Sequence, residues 1–147
     1  MKTDIATLRE LVEVLTDGEK FYKEASTKVR QPDLRQLFSR MARTKAAIAG
    51  DLKTKIVSTG NSAPQGGSFS GSLRKAYGEV AVSLSKTPNA KYVDRLEEFE
   101  DRIVEAFRAA VDKSDDAEVR ALAEKYMPEV LRDHEKMSTL KHTISPH

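Results

Sequence analysis

Hydrophobic positions along the chain recur at steps of three and four residues, which is the spacing of one face of an α-helix. The first such stripe runs from residue 5 to residue 29. Its positions are Ile5, Leu8, Val12, Leu15, Glu19, Tyr22, Ser26 and Val29. Glu19 stands where this spacing requires a core side chain. The pattern therefore predicts a long amphipathic helix with a carboxylate on its inner face.

A second stripe follows the helix-start signal Gln31-Pro32-Asp33. Proline is tolerated in the first helical turn, and Asp33 complements the positive end of the helix dipole. The stripe consists of Leu34, Leu37, Phe38, Met41, Lys45, Ile48, Leu52 and Ile56. It ends in the segment GNSAPQGGSFSG, residues 60–71, whose composition is typical of a loop. A second long helix is predicted, with Lys45 in the middle of its apolar face.

The rest of the chain repeats this helical pattern. A short stripe at Leu73, Tyr77, Val80 and Leu84 predicts a short helix, and Thr87-Pro88 can start a third long helix. The inner positions of the third long helix are Val93, Leu96, Glu100, Ile103, Phe107 and Ala110. Those of the fourth, which follows Ser114-Asp115-Asp116, are Val119, Leu122, Ala123, Tyr126, Val130, Asp133, Met137, Leu140 and Ile144. No alternation typical of a strand is present, so the fold is predicted to be all-α.

The predicted helices form one domain over residues 1–147. We expect a first hairpin at 4–59, a linker with the short helix at 60–88, a second hairpin at 89–142 and a frayed tail at 143–147. A linker of that length can run the length of a bundle. The predicted architecture is a four-helix bundle in which a long crossover joins two antiparallel hairpins.

Composition excludes several classes of function. The 25 basic and 23 acidic residues give a formal charge of +2, so the overall charge does not indicate nucleic acid or a membrane as partner. The absence of cysteine excludes thiol catalysis and thiolate metal sites. No apolar run approaches the roughly 18 residues of a membrane span, and no signal sequence is evident. We expect a cytoplasmic protein.

The two predicted hairpins differ in charge. Residues 1–60 contain 12 basic and 8 acidic side chains, and residues 89–147 contain 10 basic and 14 acidic ones. Opposite charge favours docking of one hairpin on the other, although an exposed ion pair contributes only about 0–1 kcal/mol. Seven basic residues crowd around the first hairpin: Lys20, Lys23, Lys28, Arg30, Arg35, Arg40 and Arg43. Because no exposed aromatic residues alternate with them, we interpret them as a solvated face.

Three segments carry a resemblance to a known family. They are Asp17-Gly18-Glu19 with Tyr22 and Ala25, residues 29–38 with Pro32-Asp33-Leu34, and residues 126–134. Through them the chain resembles an uncharacterised bacterial family of ferritin-like four-helix-bundle domains, over nearly its whole length. Membership of the wider ferritin-like group implies a di-iron or di-manganese site inside the bundle. The family itself has no established activity, so the resemblance implies a fold more than a function.

The implied metal site has recognisable candidates. Ferritin-like sites use one Glu from each of two helices and a Glu-x-x-His motif from each of the other two. Glu19 and Glu100 match the single-Glu role. The fourth helix offers Glu129, Asp133 and His134. In this interpretation Glu19, Glu100, Glu129 and His134 bind iron or manganese, with Asp133 as a further ligand.

Two departures from that pattern lead to a structural alternative. The second helix contains no Glu or His, and its inner face presents Lys45 instead. In the fourth helix, Arg132 stands where a Glu-x-x-His motif starting at Glu129 requires histidine. In the structural interpretation, Lys45 replaces the metal charge and pairs with Glu19 and Glu100 in a buried polar layer.

Two functions therefore compete. We favour a non-catalytic module with a degenerate metal site and no cofactor, which acts as a homo-oligomer, with a dimer expected first, or by binding a protein. The alternative is a di-metal carboxylate protein that oxidises or stores iron or handles peroxide. Nucleic-acid binding through the basic hairpin is a distant third. No hydrolytic triad or dinucleotide fingerprint is present.

A glycine, a proline and two tyrosines within the predicted helices lead to further expectations. Gly18 is unfavourable within a helix by about 1 kcal/mol, so we expect another helix to approach closely there. Pro128 is expected to kink the fourth helix, or to separate a short turn from it. Tyr22 and Tyr126 are expected at the edge of the core, from where they can donate hydrogen bonds to buried carboxylates.

Overall fold

The described part of the protein is a bundle of four long helices. The computed structural model describes residues 4–62 and 88–144. The helices are α1 (Ile5–Lys28), α2 (Pro32–Ser58), α3 (Pro88–Lys113) and α4 (Ala117–Ile144), and no strand occurs within those ranges. The all-α, four-helix prediction is confirmed. The predicted short helix at residues 73–84 and the last three residues of the predicted tail lie outside the described ranges.

Within the two described ranges, no helix combines the length and the apolar character that a membrane span requires.

The N-termini of α1 and α4 share one capping network. Asp4 caps α1 by accepting a hydrogen bond from the Thr7 N–H at 3.2 Å, and it also accepts one from the Ser114 hydroxyl at 2.8 Å. The Asp4 N–H donates to Asp116 at 2.9 Å, and Asp116 in turn accepts from the Glu118 N–H at the start of α4. These bonds satisfy backbone donors that helix ends otherwise leave without partners.

The capping bonds also act on the two carboxyl groups. The pKa of Asp4 is lowered, chiefly by its hydrogen bond from the Thr7 side chain. The pKa of Asp116 is lowered chiefly by the backbone N–H of Asp4. Both carboxylates therefore stabilise the fold in their ionised form, and they join the start of the first hairpin to the turn of the second.

Contacts between the hairpins fix the directions of the helices. Phe21 of α1 packs against Tyr92 and Phe99 of α3, with ring centroids 5.6 and 5.3 Å apart. Asp4, at the other end of α1, meets Ser114 just after α3. The helices α1 and α3 are therefore antiparallel, and α2 runs parallel to α3. The end of α2 and the beginning of α3 consequently lie at opposite ends of the bundle.

The core consists of two apolar clusters that occupy successive levels of the bundle. The first is rich in aromatic residues and is formed by Phe21, Tyr22, Ala25, Val29, Leu34, Leu37, Phe38, Met41, Ala42, Tyr92, Val93, Leu96, Phe99 and Met137. The second is largely aliphatic and is formed by Leu8, Leu11, Val12, Leu15, Ile48, Ala49, Leu52, Ile56, Ile103, Val104, Ala106, Phe107, Ala110, Val119, Ala123 and Val130. Charged side chains lie between the two clusters.

Gly18 and Pro128 have different consequences for packing. A Cβ atom at Gly18 would lie 3.2 Å from Cδ1 of Ile103, so the predicted close approach is present, between α1 and α3. Pro128 lies inside α4, which continues through it as one helix. Pro128 is exposed, and it offers no N–H to the carbonyl of Glu124 one turn earlier.

Candidate functional site: a buried charged layer

The level between the two core clusters contains a buried lysine. Lys45 lies on the inner face of α2, one turn from Met41 and from Ile48, and its side chain has no exposed surface. Helical periodicity directs this side chain into the core. A buried ammonium group requires charged partners, because its desolvation is costly.

Two carboxylates of the second hairpin supply those partners. The Lys45 Nζ atom lies 3.0 Å from Oε2 of Glu100 on α3 and 2.6 Å from Oδ2 of Asp133 on α4. Both carboxylate residues are buried. The ion pairs therefore connect α2 with both helices of the other hairpin.

The helix α1 contributes a tyrosine to the same layer. The hydroxyl of Tyr22 donates a hydrogen bond to Oε2 of Glu100. Its ring centroid lies 5.9 Å from the Lys45 Nζ atom, within the range of a cation–π interaction. Burial, with the negative charge of Glu100 in addition, raises the pKa of Tyr22 well above its usual value. Tyr22 therefore stays protonated and acts as a donor. We call Tyr22, Lys45, Glu100 and Asp133 the charged layer.

The charge of this layer depends on one proton. With Lys45, Glu100 and Asp133 all ionised, two negative charges face one positive charge. Burial raises the pKa of Glu100, although the charge of Lys45 and the hydrogen bond from Tyr22 oppose this shift. The Oε1 atom of Glu100 is buried and has no hydrogen-bond partner within the described residues. A proton on Glu100 would make the layer neutral.

Glu19 does not belong to the charged layer. Its carboxylate pairs with Lys23 at 2.8 Å, and its side chain is 18% exposed. The predicted contact of Lys45 with Glu100 is present, whereas Asp133 replaces Glu19 as the second partner.

The displacement of Glu19 has a simple cause. The buried stripe of α1 passes through Gly18, and glycine has no side chain to mark a core position in the sequence. Glu19 follows Gly18 by 100° around the helix, which places its carboxylate at the boundary of the core.

The remaining predicted ligands are on the outside of the bundle. Glu129 pairs with Arg132 at 3.2 Å, and the Nε2 atom of His134 lies 2.5 Å from Asp101. Over the described residues, no three His, Asp or Glu side chains are grouped as a metal site would need. The structure therefore does not bring Glu19, Glu100, Glu129 and His134 to a common centre.

The inner residues also do not fit a di-metal centre. Two divalent cations need several inward carboxylates and imidazoles from facing helices. The charged layer provides two carboxylates, and both are already bound to an ammonium group.

The second tyrosine considered above behaves differently from Tyr22. The hydroxyl of Tyr126 donates to Asp51, across the exposed edge between α4 and α2. Desolvation, together with this hydrogen bond, raises the pKa of Tyr126 to about 12. Tyr126 joins two helices at the surface and is not part of the charged layer.

Comparison with known proteins gives a family and a fold. The chain is similar to a crystal structure of a conserved hypothetical protein, rv2844, from Mycobacterium tuberculosis, with a TM-score of 0.73 and 16% sequence identity. The match covers 93% of this chain and 96% of that one. No curated protein matches the sequence. Residues 3–138 match the family described as a domain of unknown function, DUF2383. The chain belongs to the DUF2383 family.

Proposed function

We propose that this protein is a non-catalytic helical bundle that acts by association, with a second copy of itself or with another protein. In this proposal the charged layer occupies the level at which a ferritin-like protein would bind its metals. One observation carries the proposal, namely that the Lys45 ammonium group is fully buried between Glu100 and Asp133.

The chemistry of the layer supports a structural role. A protonated amine has no lone pair, so it neither binds a metal nor acts as a nucleophile. The two carboxylates are held by it and are not available as a pair of free bases. A buried ion pair of this kind can specify which helices meet and in what register. The charged layer then determines the arrangement of the two hairpins.

The described surface offers a partner polar contacts more than apolar ones. Over residues 4–62 and 88–144, the exposed large hydrophobic side chains are Val57 and Leu131. They lie on different helices and do not form a stripe. Association through these helices would therefore depend on charge and hydrogen bonds.

The alternative is a metal-carboxylate protein that oxidises or stores iron or handles peroxide. The unpartnered Oε1 atom of Glu100 favours it, because a buried carboxylate oxygen can take a cation as well as a proton. This alternative requires Lys45 to leave its two carboxylates.

Metal analysis separates the two proposals. Protein purified without chelators or a histidine tag would be analysed for iron and manganese, then titrated anaerobically with ferrous iron and exposed to oxygen. We expect no stoichiometric binding by the wild type. Stoichiometric binding with oxidation of ferrous iron, lost in Glu100→Gln, would overturn the non-catalytic proposal.

Association has its own measurement. Sedimentation equilibrium should give a mass of twice the 16.4 kDa chain if the protein is a homodimer. A monomer at all accessible concentrations would exclude self-association and restrict the proposal to a different protein partner.

A further inference from the structure

A groove lies on the outer face of α2, away from the charged layer. It has a volume of about 380 Å³ and is lined by Arg35, Gln36, Ser39, Arg40 and Arg43. Residues 35, 39 and 43 form one row along the helix, and residues 36 and 40 form the neighbouring row. At 1.5 Å per residue, the three arginines cover about 12 Å of the helix. We call these five residues the arginine groove.

The arginines of the groove have no carboxylate partners among the described residues. The Nε atom of Arg35 donates to the Val29 carbonyl at 2.8 Å, and Arg43 donates to the Ser39 hydroxyl at 3.0 Å. Both acceptors are neutral, and neither bond cancels the positive charge. No Asp or Glu occurs in the sequence between residues 34 and 50.

Four surface cations elsewhere on the bundle do have carboxylate partners. Lys23, Arg95, Arg132 and Lys141 each lie within 3.2 Å of a carboxylate oxygen. The arginine groove thus concentrates uncompensated positive charge in a concave part of the surface.

We propose that the arginine groove binds a compact anion that carries two or more phosphate groups. The guanidinium group offers a planar fork of donors that matches phosphate oxygens in pairs. A single phosphate would reach only part of a row about 12 Å long. The Ser39 hydroxyl and the Gln36 amide add neutral donors for the remaining oxygens.

The lining also indicates what the ligand lacks. Among the described residues, no aromatic or aliphatic side chain lines the groove. A base would therefore find only guanidinium faces to stack on, and an apolar body could not be buried. A polyphosphate anion fits this lining better than a nucleotide, because all of its recognisable groups are phosphates. This site does not depend on the proposed structural role of Lys45.

Calorimetric titration with inorganic tripolyphosphate tests the proposal on the full chain. We expect one tripolyphosphate per chain, and affinity at least about tenfold weaker in Arg40→Gln/Arg43→Gln, because two charge-assisted hydrogen bonds are lost. The matched control is Arg108→Gln/Lys136→Gln, which removes the same charge from exposed positions on α3 and α4. Its affinity should stay within about twofold of the wild type, because neither residue lines the groove.

Several results would overturn the proposal. They are no binding of tripolyphosphate at low ionic strength, equal losses in the groove variant and its control, or citrate binding as tightly as tripolyphosphate. Arg40→Lys/Arg43→Lys keeps the charge and loses the planar forks, so full affinity in that variant would contradict recognition by guanidinium groups. A short DNA duplex that binds tighter than tripolyphosphate, with the same loss in the groove variant, would assign the groove to nucleic acid instead.

Discussion

The two faces of α2 differ in how their positive charges are compensated. On the inner face, Lys45 is fully buried and lies within 3.0 Å of two carboxylates. On the outer face, Arg35, Arg40 and Arg43 line a groove with no carboxylate partner in the described part of the chain. Water solvates an exposed cation at little cost, whereas a buried one is stable only with partners. The charge of Lys45 therefore stabilises the fold, whereas the charges of the arginine groove remain available to bind a ligand.

The largest expected effect comes from removing the inner charge. Lys45→Met should lower the free energy of unfolding by about 3–5 kcal/mol, because it strands two buried carboxylates. Arg40→Gln on the outer face should change it by no more than about 0.5 kcal/mol. Chemical denaturation of both variants measures the difference.

A second substitution identifies the partner of Lys45. Adding Asp133→Leu to Lys45→Met should restore part of the lost stability, since the stranded carboxylate is removed. Adding Glu19→Leu should not, because Glu19 pairs with Lys23. Restoration by Glu19→Leu and not by Asp133→Leu would contradict the observed pairing.

The inner face also shows how much of the site the sequence can predict. Lys45, Glu100 and Asp133 all fall on the apolar stripes of their helices, so periodicity alone predicts that they are buried. The rule that buried charges need partners predicts the contact of Lys45 with Glu100, whereas the contact with Asp133 was not predicted. The four helices are predictable for the same reason, since long stripes have an unambiguous period.

The prediction for Glu19 fails at a glycine. Counting in steps of three and four from Leu15 allows either position 18 or position 19 on the inner face. Gly18 has no side chain, so the hydrophobic pattern does not mark it as a core position, and Glu19 was assigned to the inner face instead. The close approach of Ile103 shows that position 18 is the inner one. The arginine groove could not be predicted in this way, because its shape depends on how exposed side chains are arranged in space.

Tyr22 and Tyr126 allow a buried and an exposed hydrogen bond to be compared. Tyr22→Phe removes a buried hydrogen bond to Glu100 and should cost about 1.5–3 kcal/mol, the range for hydrogen bonds to charged groups. Tyr126→Phe removes an exposed bond to Asp51 and should cost less than about 1 kcal/mol. Thermal unfolding of the two variants compares them, and equal losses would show that Tyr22 does not support the layer.

The pH dependence of stability tests the proton on Glu100. Its pKa is raised in the folded state above the usual 4.5, so folding takes up a proton between the two pKa values. Below pH 4.5 the contribution of Glu100 is fully present, and it is lost as the pH rises through the folded pKa. Wild-type stability should therefore fall relative to Glu100→Gln as the pH rises above about 4.5.

Asp4 provides a control of opposite sign. Its pKa is lowered below the usual 3.8, so its contribution is present above pH 3.8 and is lost as the pH falls through the folded pKa. Wild-type stability should fall relative to Asp4→Asn as the pH is lowered from 3.8. Denaturation curves across both windows measure the two slopes, and the same sign for both carboxyl groups would contradict the difference between a buried and a capping carboxylate.

The smallest expected effect comes from alanine substitutions at two glycines, Gly18 on an inner face and Gly50 on an exposed one. A Cβ atom at Gly50, on the exposed side of α2, would meet nothing within 4 Å, so Gly50→Ala should stabilise the protein by about 1 kcal/mol through helix propensity. At Gly18 the Cβ atom would lie 3.2 Å from the end of the Ile103 side chain, and displacement of that side chain offsets the gain. Denaturation should show Gly18→Ala to be less stable than Gly50→Ala. Equal stabilisation would mean that the Ile103 side chain moves aside at no cost, and that its contact with Gly18 does not set the distance between α1 and α3.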